Sequence, residues 1–468
     1  MRSLLAAMAS ARFTPVTVSV AVWIPLFASL VVGSHLSLGT NAYDLSVFDY
    51  ALWNTVQGDP GHVPFFGYSL FAQHFMPSLL ALLPAYLLAP SPLTLIWLQI
   101  AAIVVAAILL DRLIPTSFPM LGRWALLIAF LFSRRSYSAF SSVFYLESME
   151  PALIFGLLLA WKAKRWLWYW AVLILALGCK EDVALYIASF GIIQIGLGQR
   201  RIGLATALFA SVWLIFAVGF AIPQARAAEG LPIANPFLVA RYSDVQHGET
   251  QSIGAVFARV VSARGVGKVV TLTSAVLFCC WAAPTWLAVA ALGIVLNLAA
   301  RPDTLQSGLN GHYLWPILPW LYFAAIQGAS RVSGRWPQLV TPFFIVLIAF
   351  TLADSPALRR ISSLNQQSQE SFANVRACLA QAPVDARVAA MPNLVPHLPH
   401  MMSVSTLGRA GMRVDEPQYI YISTAGDLWP YSAAEVAALV EELKADRRYT
   451  ASTCGPLITF QRVRDSTS

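Results

Sequence analysis

The sequence is short of charge. Asp, Glu, Lys and Arg make up only 12% of its 468 residues, while 57% are hydrophobic. A soluble protein carries about twice that share of charge. Several chemistries also lack their signatures. No glycine-rich loop is placed to cradle phosphate, and HExxH, GxSxG and CxxC are missing. ATP use and the common hydrolase reactions therefore have no support. The five cysteines show no metal-ligand spacing. Internal repeats and low-complexity stretches are missing too. The net charge of +8 does not indicate nucleic acid. Lys and Arg gather in short loops between apolar runs, which is the orientation signal of membrane proteins.

Apolar sequence is what the chain has in quantity. Runs fall near 14–36, 74–90, 92–111, 121–137, 148–161, 166–179, 182–197, 202–223, 268–283, 285–300, 312–329 and 337–355. Several reach the roughly 18–20 residues a bilayer requires. The expected fold class is an all-α polytopic membrane protein. The basic N-terminus, MRSLLAAMASAR, would pass for a signal peptide, but the many spans behind it favour an uncleaved first helix. The basic connections are DRLIPTSFPMLGR (111–123), WKAKRW (161–166), GQRR (198–201) and SRVSGRW (330–336). Positive-inside places all four in the cytoplasm with the N-terminus. The parity works only if 74–90, interrupted by Pro77, Pro84 and Pro90, does not span. About eleven spans plus one juxtamembrane or re-entrant helix are expected over residues 1–356. The outside then receives loops 37–91, 138–147, 224–267 and 301–311.

Residues 357–468 change in composition and read as a small extracytoplasmic α/β domain. SQESFANVRACLAQ reads as a helix, and ARVAAM and QYIYIST as strands. Ser432 and Glu435 form a capping box ahead of an apolar periodicity, and TASTC-GP-LITFQRV reads as a terminal hairpin. Cys378 and Cys454 form a disulfide if this tail faces an oxidising compartment, and are ordinary core cysteines otherwise.

The scarce charges are therefore informative. Asp44 and Asp49 lie in NAYDLSVFDYALWNTVQGD, directly after the first long apolar run. Five residues apart, they stand about 140° apart on a helix, so one acid can face a cavity while the other braces the helix. The plain reading is an N-cap at Asp44 and a solvated acid at Asp49. Glu147 and Glu150, three apart, adjoin Pro151 and suit a helix first turn. Lys180, Glu181 and Asp182 turn the chain between two short apolar runs, where charge at membrane depth is expensive and functional by default. His74 opens the non-spanning run. His312 and Tyr313 stand at the mouth of a later span. Arg264 and Lys268, four apart before another span, suit a lipid phosphate or plain snorkelling.

The ordered phrases YDLSVFDYALWN, HFMPSLL, SPLTLIWLQ, ESMEPAL, KEDVAL, HYLWPILP and PNLVPHLPH carry a resemblance over nearly the whole chain. It resembles a bacterial family of uncharacterised membrane proteins placed in the GT-C superfamily of membrane glycosyltransferases. The resemblance implies a GT-C-like fold in the bacterial inner (plasma) membrane. It implies transfer of a sugar from a polyprenyl-phosphate-linked donor to a glycan, lipid or protein acceptor on the external face. Asp44 matches the general base of the first external loop, and Glu150 an assisting acid of the second. Asp49 and Glu147 are supporting acids. The family phrase at the latter is an acid followed by His-Pro-Glu, whereas this chain reads LESMEP without the histidine. Lys180, Arg264, Lys268 or His312 would stabilise the leaving phosphate; His74, Glu181, Asp182 and Tyr313 would line the cavity. No cofactor is expected, though paired acids leave a divalent metal open. The alternatives are a lipid or polysaccharide transporter or flippase, and a non-enzymatic envelope assembly protein whose tail binds a partner.

Overall fold

The computed structural model describes residues 14–233, 243–244, 249–250, 253–301, 304–360, 369–407 and 416–463. Proline opens many of its helices, where its missing N–H costs nothing. Helix α1 (Pro15–Leu36) has Pro15 in its first turn and the Thr14 hydroxyl as cap. A π-helical turn (Ala42–Ser46) leads into α2 (Val47–Val56). The run at 74–90 becomes a 3₁₀ turn (Pro77–Leu82) and the single α-turn α3 (Leu83–Tyr86). Its prolines remove helical hydrogen bonds, and ten residues span only about 15–20 Å. Helix α4 (Pro92–Leu113) follows, capped by Ser91. Because Tyr86 bonds Asp49 and Phe75 bonds Glu181, residues 37–91 stay at one end of the bundle.

Helices α5 (Met120–Phe132) and α6 (Arg134–Phe140) are split at Ser133, whose side chain caps the second. Then come α7 (Glu150–Lys162), α8 (Trp166–Leu177), α9 (Val183–Gly196) and α10 (Arg200–Ala228), the last 29 residues long with an internal π turn. Helices α11 (Ile253–Val261) and α12 (Ala263–Thr273) are short and amphipathic. The apolar run expected as one helix over 268–283 ends at Thr273 and breaks into 3₁₀ turns, with Leu277 and Phe278 at positive φ. The cause is packing: the Cys279 carbonyl presses on α14 at Gly328, where any side chain would overlap it. Helices α13 (Pro284–Ala299), α14 (Leu318–Arg335) and α15 (Val340–Asp354) complete the bundle.

Among the described residues, four helical stretches have the length and apolarity to cross a membrane: Pro15–Leu36, Pro92–Leu113, Arg200–Ala228 and Pro337–Arg360. Helices α8 and α9, with 12 and 14 residues, rise only about 18–21 Å, against a hydrocarbon core of about 30 Å.

The tail forms a five-stranded mixed sheet in the order β6-β5-β7-β9-β8. Its strands are β5 (Arg387–Ala390), β6 (Ser403–Thr406), β7 (Tyr419–Ser423), β8 (Tyr449–Cys454) and β9 (Leu457–Arg462). The strand β5 lies parallel to β6 and β7, while β7–β9 and the hairpin β8–β9 are antiparallel. Two-residue ribbons β1–β2 (His62–Val63, Tyr68–Ser69) and β3–β4 (Ser243–Asp244, Glu249–Thr250) lie outside it. The capping box of Ser432 and Glu435 makes both its bonds at the start of α18 (Ala433–Ala445), after α16 (Pro356–Arg360) and α17 (Gln369–Leu379). Cys378 of α17 is disulfide-bonded to Cys454 of β8. The sheet packs on the bundle in one continuous core that runs from Trp23 to Phe460.

Candidate functional site

Asp44 lies in the π turn after α1. Asn41, not Asp44, caps that turn, through a 3.0 Å bond from the Tyr43 N–H. The freed Asp44 carboxylate accepts a short hydrogen bond from the Tyr145 hydroxyl. Burial raises the Asp44 pKa above its ordinary value. The nearby Asp427 of the tail adds to the rise, and the bonds from Tyr145 and Asn41 oppose it. The Tyr145 ring stacks on His312 at 4.1 Å, and His312 lies 4.0 Å from Tyr313.

Tyr313 connects this aromatic wall to a buried ionic group. Its ring lies 5.9 Å from the Lys180 ammonium, which donates to Glu147 Oε1 at 2.7 Å. Lys180 and Glu147 are 7% and 2% exposed. Burial opposes the Lys180 charge, but Glu147, Asp182 and Glu181 outweigh it and push the pKa above the ordinary lysine value. Glu181 accepts from His74 Nδ1 at 2.8 Å and from the Phe75 N–H at 3.1 Å. Burial opposes its ionisation, yet His74 and then Lys180 hold its pKa down to about 2. Glu150 begins α7 fully buried, within the field of Glu147, Asp182 and Lys180. Both its oxygens lack hydrogen-bond partners, as do Glu147 Oε2 and Asp182 Oδ1. Such buried, unpartnered polar atoms are costly and are concentrated where a ligand or proton is handled.

Asp49 faces elsewhere. It accepts from the Tyr86 hydroxyl at 2.6 Å and meets His400 Nε2 at 2.8 Å. His400 lies flat on Trp53, 4.4 Å between rings. The tail is thereby bonded to α2. It is also fastened at Ala42, whose N–H donates to the Pro392 carbonyl, and at Tyr43, whose hydroxyl meets Thr406. Exposed Trp429 stands edge-on to Tyr43, beside Asp44.

Residues 34–456 match a family described as "Predicted membrane protein (DUF2079)". The chain belongs to that family. Among solved structures it is similar to ArnT from Cupriavidus metallidurans bound to undecaprenyl phosphate. The TM-score is 0.55 and the identity 12%, with 96% of this chain and 98% of that one covered. The likeness shows the fold, an ArnT-like, mostly helical architecture with a small C-terminal sheet domain. No curated protein matches the chain.

In this DUF2079 chain Asp44, Glu147, Glu150, Lys180, Glu181, Asp182, His74, His312 and Tyr313 fall into one contiguous group. Arg264 and Lys268 do not join it. They lie on α12, where Arg264 and Arg259 are the charges that act on Lys268. Arg226 is a staple, buried and bonded to the Ala72 and Pro232 carbonyls. Arg241 lies outside the described residues. Among the described residues no three His, Cys, Asp or Glu side chains converge to hold a metal ion. Tyr145, Tyr86 and Asp427 were not legible as site residues, because nothing local marks a tyrosine or an aspartate as the neighbour of an acid 37 or more residues away.

Proposed function

We propose that the protein transfers a sugar from a polyprenyl-phosphate donor to an acceptor hydroxyl on the extracytoplasmic side of the membrane. The observation that supports it is the juxtaposition of Asp44 and Lys180 along one wall, Tyr145–His312–Tyr313. The acceptor oxygen attacks the anomeric carbon and loses its proton to Asp44. The carbon–oxygen bond to phosphate breaks, and the phosphate departs with the electron pair. Lys180, kept charged by Glu147, offsets the developing negative charge; Glu150 is the assisting acid behind that pair. Exposed Trp429 and Tyr43 offer apolar faces beside Asp44 for the acceptor.

Two features support the orientation. The tail carries a disulfide, which belongs to an oxidising compartment. The basic turns at 161–166 and 198–201 lie at the opposite ends of α7, α8 and α9 from Lys180. Those helices rise only about 20 Å, which supports a Lys180 group within reach of a phosphate carried at the membrane interface.

Asp44→Asn is expected to lower transfer of labelled sugar from a polyprenyl-phosphate donor by about 10²–10⁴-fold, with unchanged amounts of folded protein in the membrane. Full activity in that variant overturns the assignment. One observation favours a second reading, transport coupled to protons: the buried Glu150 with two unpartnered oxygens. Proton-dependent lipid flux that persists in Asp44→Asn and vanishes in Glu150→Gln would establish it instead.

A further inference from the structure

Helices α8 and α10 both begin at the end of the bundle away from Asp44. Between their first turns lies an open cavity of about 780 Å³, lined by Lys164, Trp166, Gln199, Arg200, Arg201 and Ile202. Lys164, Arg200 and Arg201 are exposed, and among the described residues none of their charged groups has a hydrogen-bonding or ion-pairing partner. This differs from the basic loop at 111–123, where Arg123 is held by Asp111 at 2.7 Å. The Gln199 side chain is fixed by the Trp161 indole, which donates to its Oε1 at 2.7 Å and leaves its amide hydrogens available.

The helix starts add to the imbalance. Neither α8 nor α10 has an acid in its first turn or a side-chain cap. Arg165 precedes one helix and Arg200 and Arg201 open the other, where the helix dipole already makes positive charge unfavourable. An anion in the cavity would relieve all of these charges at once. The early turns of both helices also carry exposed apolar side chains: Leu167 at 82%, Trp168 at 62%, and Leu204 and Leu208. A soluble anion has no use for such a rim, whereas acyl chains do.

We propose that this cavity binds the phosphate of an anionic phospholipid headgroup, with the acyl chains lying along α8 and α10. Positive-inside charge assigns it to the cytoplasmic leaflet. The site is independent of the transfer reaction and of Asp44.

The test uses the full chain in nanodiscs of equal phosphatidylglycerol and phosphatidylcholine, with lipids retained on release counted by native mass spectrometry. The wild type is expected to retain phosphatidylglycerol in preference. The triple variant Lys164→Gln/Arg200→Gln/Arg201→Gln is expected to lose about a hundredfold of that preference, at roughly fivefold per cation. Arg201→Gln alone, one exposed side chain, should lose about fivefold. Arg331→Gln/Arg335→Gln, at the basic C-terminal end of α14, should lose none. Equal retention in wild type and triple variant overturns the proposal. Equal loss in the Arg331/Arg335 control also overturns it, by reducing the effect to diffuse interfacial charge. Displacement of the lipid by millimolar inorganic phosphate would make the ligand a soluble anion and overturn the lipid assignment.

Discussion

At one end of α7, α8 and α9, Lys180, Glu147, Glu150 and Glu181 are buried together; at the other, Lys164, Arg200 and Arg201 stand exposed without acids. The two ends obey different rules. A buried charge must find a partner, because the low-dielectric interior offers no water to replace one. An exposed cation at a membrane surface needs none, since headgroups and water serve it. Lys180 therefore carries information about a site within the protein, and Arg200 about the surface the protein rests on.

Removing charge at each end separates these rules most sharply. Lys180→Met leaves Glu147 buried and uncompensated, and is expected to cost about 3–5 kcal/mol. The comparison is Arg201→Met, which should leave the unfolding midpoint in detergent unchanged. If the two variants unfold alike, the Lys180–Glu147 pair is solvated and the contrast fails. Cys378→Ser/Cys454→Ser should cost about 2–4 kcal/mol, read as the tail becoming protease-sensitive at lower denaturant while the bundle persists. His400→Ala removes one of two partners of the Asp49 carboxylate, with an expected cost of about 1–3 kcal/mol, detected the same way.

The subtlest effect concerns pH. Asp44 acts as a base only when ionised, and burial followed by the Asp427 charge raises its pKa. The acid limb of the transfer rate should therefore lie above the ordinary carboxylate range. Tyr145→Phe deletes a hydrogen bond that lowers that pKa, so the limb should move further up while donor affinity holds. A limb that stays in place would show that Tyr145 is structural only.

Much of the architecture was legible because it follows from local rules. The capping box at Ser432, the terminal hairpin, strands β5 and β7, and the failure of 74–90 to make a long helix are all written in short spans of sequence. The strand β6 was not, since SVST after PNLVPHLPHMM reads as a continuation of a proline-rich turn. It becomes a strand because β5 offers a parallel edge. The break at 274–283 was equally hidden. The composition there is that of a membrane helix, and the interruption depends on how closely Cys279 approaches Gly328.

For the site, the sequence by itself determined which charges are exceptional: in so apolar a chain, acids and a lysine beside membrane runs stand out. Helical spacing also allowed Asp44 and Asp49 to face apart, without deciding it. Only the tertiary structure decided their partners. Asp44 meets Tyr145, 101 residues on, and Asp49 meets His400, 351 residues on. Such pairings are fixed by where packed helices and a docked sheet happen to bring side chains together, and desolvation on burial then makes them obligatory.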